Sequence, residues 1–144
     1  RLRGTSIYGS GLKHVLGSKD TLTYLDVSET SIGSEAMPTV AQFKNLETLE
    51  MWAALIEDED IQHLLGLSKL TSLSLEQCSR LTSEGLAKLA ALPELNDLNV
   101  RQTRLDDEAM IREALGDRLT QRLFVVYDQQ MFRRFRHLLG LAVF

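Results

Sequence analysis

Three histidines, one cysteine, two glycine-rich stretches and a run of acids are the residues of this chain best equipped for chemistry. None has the spacing that chemistry needs. His14, His63 and His137 lie far apart with no partner at metal-ligand or triad spacing. His14 and His63 fall beside an apolar helical stripe and are expected as ordinary surface residues. Cys78 occupies an inward turn position, where burial favours packing over a reactive thiolate. As the single cysteine it forms no internal disulfide, which is expected of a reducing compartment. Gly9-Ser10-Gly11 and Gly17-Ser18-Lys19 share the composition of a phosphate loop. Such a loop closes on Gly-Lys-Ser/Thr, and the order here is different. Asp58-Glu59-Asp60 lacks the glycine and spaced oxygens of a calcium loop and reads as the acidic start of a helix. The expectation is a chain without catalytic residues, metal or cofactor, and so not an enzyme.

What organises the sequence is a period. Leu22, Leu46, Leu70 and Leu95 are separated by 24, 24 and 25 residues, and the same apolar positions follow each of them. The first copy reads Leu22, Leu25, Val27, Thr30, Ile32, Met37, Val40 and Phe43. The second reads Leu46, Leu49, Met51, Ala54, Ile56, Ile61, Leu64 and Leu67. The third reads Leu70, Leu73, Leu75, Cys78, Leu81, Leu86, Leu89 and Leu92, with one extra residue before Leu81. A fourth runs Leu95, Leu98, Val100, Thr103, Leu105 and Met110 before becoming irregular. Upstream, Leu2, Thr5, Ile7, Leu12 and Val15 fit a copy whose beginning is missing. Within each copy the Leu-x-Leu alternation predicts a short strand. The apolar positions three apart after it predict a helical stripe. Ser34-Glu35, Asp58-Glu59, Ser83-Glu84 and Asp107-Glu108 precede the stripes as helix-start pairs, each offering a capping oxygen and a first-turn acid. Pro38 sits early in its helix, where a missing amide costs little.

The pattern L-x-x-L-x-L-x-x-(N/C/T)-x-L resembles the leucine-rich-repeat family over about residues 1 to 110. Cys78 and the longer third copy, followed by Leu81-Thr82-Ser83-Glu84-Gly85-Leu86, are similar to its cysteine-containing subtype. Thr5, Thr30, Ala54 and Thr103 depart from the Cys or Asn preferred at that place. The resemblance implies an α/β right-handed solenoid with a parallel sheet on the concave face and helices on the convex face. It also implies a protein-interaction module or scaffold segment of a larger assembly. A single copy cannot bury its apolar side alone, so neighbouring copies must stack. One domain is expected: a partial repeat over 1–21, repeats over 22–119 and a C-terminal cap over 120–144.

The outward strand positions then form columns across the sheet. Tyr24, Asp26, Ser28, Glu29, Glu50, Trp52, Glu76 and Arg101 are the residues expected to bind a partner. Trp52, the only tryptophan, is the natural anchor, and the acids around it favour a basic or Arg-bearing protein segment through stacking or cation–π contact. The alternative is that Trp52 packs against Tyr24, Ser28 or Glu76 on an idle surface.

Charge is split along the chain. Residues 1–110 carry 10 Lys/Arg against 17 Asp/Glu, whereas residues 111–144 carry 6 against 3. The acidic body argues against nucleic acid as a partner. In the tail, Leu123 to Tyr127 reads as a strand, with Leu123 lying 25 residues after Leu98. Met131 to Val143 reads as an amphipathic helix bearing Arg133, Arg134, Arg136 and His137. That helix is expected as a cap; the alternative is association with a membrane surface or a partner groove. No apolar run is long enough to span a bilayer, and no secretory leader opens the chain, so an intracellular, cytoplasmic location is expected. The start at Arg1 is expected of a piece of a longer chain. A substrate-recognition part of a ubiquitin ligase, with F-box-like helices upstream, is the other role the resemblance implies.

Overall fold

The structure, a computed structural model, describes residues 1–103 and 124–126. Each Leu-x-Leu segment forms a three-residue strand: β1 Tyr24–Asp26, β2 Thr48–Glu50, β3 Ser72–Ser74 and β4 Asp97–Asn99. A fifth, β5 Phe124–Val126, follows. They pair parallel in chain order, as one sheet. The register repeats the sequence period, with Leu25 beside Leu49, Leu49 beside Leu73 and Leu73 beside Leu98. Pairing at β5 sets Leu98 beside Val125, two residues beyond the Leu123 that the 25-residue period selects. Residues 104–123 and 127–144 lie outside the described residues. With them go the Asp107-Glu108 helix start, the C-terminal cap and the basic amphipathic helix.

The ladder continues past the named strands. Val27, Met51 and Leu75 donate their amides to Glu50, Ser74 and Asn99 carbonyls of the next copy at 2.8–3.0 Å. Leu2 does the same to Asp26, and Gly4 to Ser28, so the first segment lies along β1 as a further rung. Two residues after each of Leu2, Val27, Met51, Leu75 and Val100 the backbone turns left-handed. Gly4 has φ 67°, Glu29 54°, Ala53 58°, Gln77 58° and Gln102 55°. The turn needs this residue because the next amide folds back: Ala54 N donates to Met51 O and Cys78 N to Leu75 O, each at 3.1 Å. Where threonine follows, its hydroxyl reinforces the turn. Thr5, Thr30 and Thr103 donate to the carbonyl three residues earlier at 2.6–2.7 Å. Threonine thereby satisfies the turn that the family pattern gives to Cys or Asn.

Four of those five left-handed positions carry a side chain, at a cost of about 1–2 kcal/mol relative to glycine. Gln77 and Gln102 recover part of it through their mutual 2.6 Å hydrogen bond, and Glu29 through its ion pair with Arg3. Ala53 has no such compensation. Ala53→Gly is therefore expected to stabilise the chain by roughly 0.5–1 kcal/mol, after the greater freedom of glycine in the unfolded state is subtracted. A urea midpoint that stays or falls would show that this backbone is not strained.

The helical elements alternating with the strands are shorter than expected. Among the described residues only α1 Met37–Val40 and α2 Ser83–Leu89 are α-helical; Gly9–Ser18, Ser34–Ala36 and Asp60–His63 are 3-10 turns. The same three-residue step is thus carried by a 3-10 turn before Leu64 and Leu67 and by an α-helix through Leu86 and Leu89. The acidic pairs also act differently from the caps expected of them. Neither Ser34–Ala36 nor Asp60–His63 has a side-chain cap, and at α2 the cap is Thr82, which accepts from Glu84 N at 3.2 Å. The acids instead join copies. Glu35 accepts from Gly9 N at 3.1 Å, Asp60 from Ser34 Oγ at 2.5 Å, and Asp58 from Thr82 N at 2.8 Å. Gly85 admits Asp58 to this contact, since a Cβ there would overlap its carboxylate oxygen.

Between the two layers runs one continuous core from Leu12 to Val100. The repeat columns Val40, Leu64, Leu89 and Phe43, Leu67, Leu92 are all buried within it. Leu22 is the exception among the leading leucines and is only partly buried.

Candidate functional site

The outward positions of the strands and of the turns after them come together on the open side of the sheet. A depression of about 410 Å³ lies there, lined by Arg3, Ser28, Glu50, Trp52, Ser72, Ser74, Glu76, Asp97 and Asn99. Its floor includes Leu73. The carboxylates of Glu50, Glu76 and Asp97 share this surface with the cation of Arg3. Trp52 stands near the middle on β2's turn, level with Ser28 and Glu76, because Glu29 N donates to Trp52 O and Ala53 N to Glu76 O. Arg101 follows Glu76 on the next rung, through Gln77 N to Arg101 O at 2.8 Å.

Of the eight residues expected to bind, Ser28, Glu50, Trp52 and Glu76 line this depression, the last three half-buried. Tyr24 and Arg101 are half-buried beside it, and Glu29 is exposed. Asp26 and Ser28 depart from the expectation of an open position, being 4% and 1% exposed. They are covered because the first segment adds a rung over β1, and their polar atoms turn inward to the sheet. Asp26 Oδ1 accepts from Ser28 N at 3.1 Å, and Ser28 Oγ accepts from Trp52 N at 3.2 Å. Both residues fix the strand ends that carry Trp52 and offer little surface of their own.

The acids are held in place by neighbours. Tyr24 donates to Glu50 at 2.9 Å, Asn99 to Glu76 at 3.0 Å and Ser72 to Asp97 at 3.1 Å. Burial and then the Glu50 contact push the Tyr24 phenol above its ordinary pKa. Arg3 is not among the residues that the columns select, yet it is the main occupant of the site. Its guanidinium lies 4.8 Å from the centre of the Trp52 ring and donates to Glu29 at 3.0 Å, a contact that raises its pKa. Arg1 lies 5.3 Å over Tyr24 in the same manner. The signal for Arg3 is present in the sequence, because Leu2 and Thr5 set it at the position of Ser28, Trp52, Glu76 and Arg101. Trp52 thus carries the Arg3 guanidinium over its ring. Its Nε1, like Nε of Arg101, is buried with no hydrogen-bond partner among the described residues.

The arrangement offers hydrogen-bond acceptors, one aromatic face and fixed charge. Among the described residues, no group of three or more His, Cys, Asp or Glu is placed to hold a metal ion, and no helix is long and apolar enough to cross a membrane. Cys78 is buried, donates to Met51 O at 3.3 Å and is pushed up to about 12 by burial. His14 is exposed and His63 half-buried, and both sit in 3-10 turns rather than on the sheet.

No curated protein matches the chain. Residues 66–90, which run from the end of the second copy through α2, match the family model described as Leucine Rich repeat. That segment carries β3, its left-handed turn and the helix that returns toward β4, and the same ladder extends across its neighbours. This match supports a leucine-rich repeat family for the segment and for the copies in register with it.

Proposed function

We propose that the chain is a non-catalytic docking module that receives a basic, extended protein segment on the open face of its sheet. Leucine-rich repeats generally mediate protein–protein contact. The finer reading rests on one observation: the depression around Trp52 sets Glu50, Glu76 and Asp97 against Arg3, the single cation among its described lining residues. Such a surface attracts positive side chains and repels phosphate backbones. Trp52 also gains little from its place within the isolated chain, since its buried indole nitrogen lacks an acceptor among the described residues, a defect costing about 1–3 kcal/mol. In this reading the sheet is the concave, inner face of a right-handed solenoid, the acids form its lining, and the chain is a scaffold segment of a larger assembly. Cys78, with its bond to the preceding copy, favours the cysteine-containing subtype.

The test is retention on two immobilised pools of extended peptides, one basic and one acidic. Wild-type chain is expected on the basic pool and to be released by salt. Trp52→Ala is expected to weaken retention about 30-fold, the scale of an interface anchor, and Glu50→Lys with Glu76→Lys to abolish it. Equal retention on both pools, or retention unchanged in Trp52→Ala, would overturn the reading.

A further inference from the structure

We propose that the space between the Trp52 ring and the Glu29 carboxylate is a guanidinium seat, filled by the chain's own Arg3, which a partner's arginine enters by displacing it. The inference rests on the docking reading above and names the side chain that docks. Gly4 N donates to Ser28 O at 3.0 Å, which places Arg3 on the rung beside Ser28. Its guanidinium does not stop there. It crosses β1 to lie over Trp52 on β2, 4.8 Å from the ring centre. Ser28 is the small residue beneath that crossing and is 1% exposed. The same side chain donates Nε to Glu29 at 3.0 Å.

A planar guanidinium stacks by its face and bonds by its edge at once, whereas a compact, strongly hydrated ammonium does one at the expense of the other. The seat therefore selects arginine over lysine. Of the acids on this face, Glu29 is the one with a cationic partner among the described residues, while Glu50 and Glu76 are held by Tyr24 and Asn99. Arg3 is a weak tenant. Its side chain is 52% exposed and that of Glu29 45%, so solvent screens the pair and the seat opens readily. Arg1 over Tyr24 repeats the motif two residues away, so the occupied face already displays an Arg-x-Arg strand laid across two aromatic rings.

The probes are the capped peptide acetyl-Gly-Arg-Leu-Arg-Gly-amide and its lysine counterpart, titrated calorimetrically into the wild-type chain, Arg3→Gln and Arg3→Lys. Circular dichroism confirms that each variant keeps its fold; the backbone bonds of Leu2 and Gly4 do not involve the Arg3 side chain. The arginine peptide is expected to bind Arg3→Gln on the order of tenfold more tightly than wild type, the penalty of a seat free about one-tenth of the time. Arg3→Lys is expected to gain an intermediate amount, and the lysine peptide to gain little from either change. Equal or weaker binding of the arginine peptide by Arg3→Gln would overturn the displacement while leaving the docking face intact. An equal gain for the lysine peptide would overturn the guanidinium seat. No binding of either peptide to any of the three proteins would remove both this inference and the docking reading beneath it.

Discussion

Truncating Phe43 to alanine is expected to cost about 3–5 kcal/mol, a large part of the total stability of a domain. Phe43 is fully buried at the corner where the chain leaves α1 and turns back toward β2. Its amide donates to Val40 O and its carbonyl accepts from Leu46 N, so the backbone at this corner is fixed and cannot collapse into the space left by the ring. Each repeat in such a stack rests only on its neighbours, so a void there loosens the contacts on both sides. The following copies place Leu67 and Leu92 at the same corner, both buried. Phe43→Leu is accordingly expected to cost only about 1–1.5 kcal/mol, because the repeat geometry accepts leucine there. Urea unfolding of both variants checks the pair of values. An alanine variant that loses less than about 1.5 kcal/mol, or a leucine variant as unstable as alanine, would mean that this corner repacks freely. The column would then not be a structural constant of the repeat.

That contrast follows from what is legible in the residues themselves. A period of 24 or 25 residues sets one apolar column beside the next, and a one-residue slip would turn every strand inside out. Hence the register Leu25, Leu49, Leu73 and Leu98, and the buried columns behind it, follow from the repeat alone. Periodicity says less about residues whose environment depends on their backbone angle or on a distant copy. Ala53 and Gln77 look like any outward residue in a column, yet both are left-handed. Asp58 looks like a helix cap and instead accepts from Thr82 in the next copy. The docking face shows the same division. The columns place Glu50, Trp52 and Glu76 together, while the burial of Asp26 and Ser28 comes from a rung contributed by Arg1 to Gly4. A partial repeat is weak as a pattern, and its side chains are easily left out of a surface they in fact dominate.

Raising the pH is expected to destabilise the chain through Cys78, and replacing that cysteine is expected to remove the effect. Burial in the core pushes the thiol from an ordinary 9.0 to about 12, because low-dielectric surroundings penalise the thiolate and one backbone contact offsets little of it. Below about pH 9 the thiol is protonated in both the folded and the unfolded chain and contributes no pH dependence. Between about 9 and 12 the folded chain keeps the proton that the unfolded chain gives up, so unfolding releases a proton and stability falls as pH rises. The slope is about 1.4 kcal/mol per pH unit while that difference lasts. Tyr24 is also raised and adds its own decline at higher pH, so the useful quantity is the difference between two proteins that both retain it. Cys78→Thr is the proper partner, since Thr30 and Thr103 occupy the equivalent turn and donate to the carbonyl three residues earlier. Urea midpoints at several pH values above about 8 are expected to converge or cross, with wild type losing stability faster. The same displaced pKa makes the folded thiol roughly a thousandfold less available as thiolate, so a disulfide reagent should label it at a rate set by opening of the third repeat. Parallel stability curves together with fast labelling of the folded chain would mean that Cys78 reaches solvent, and the turn between β3 and α2 would then not be closed over its core.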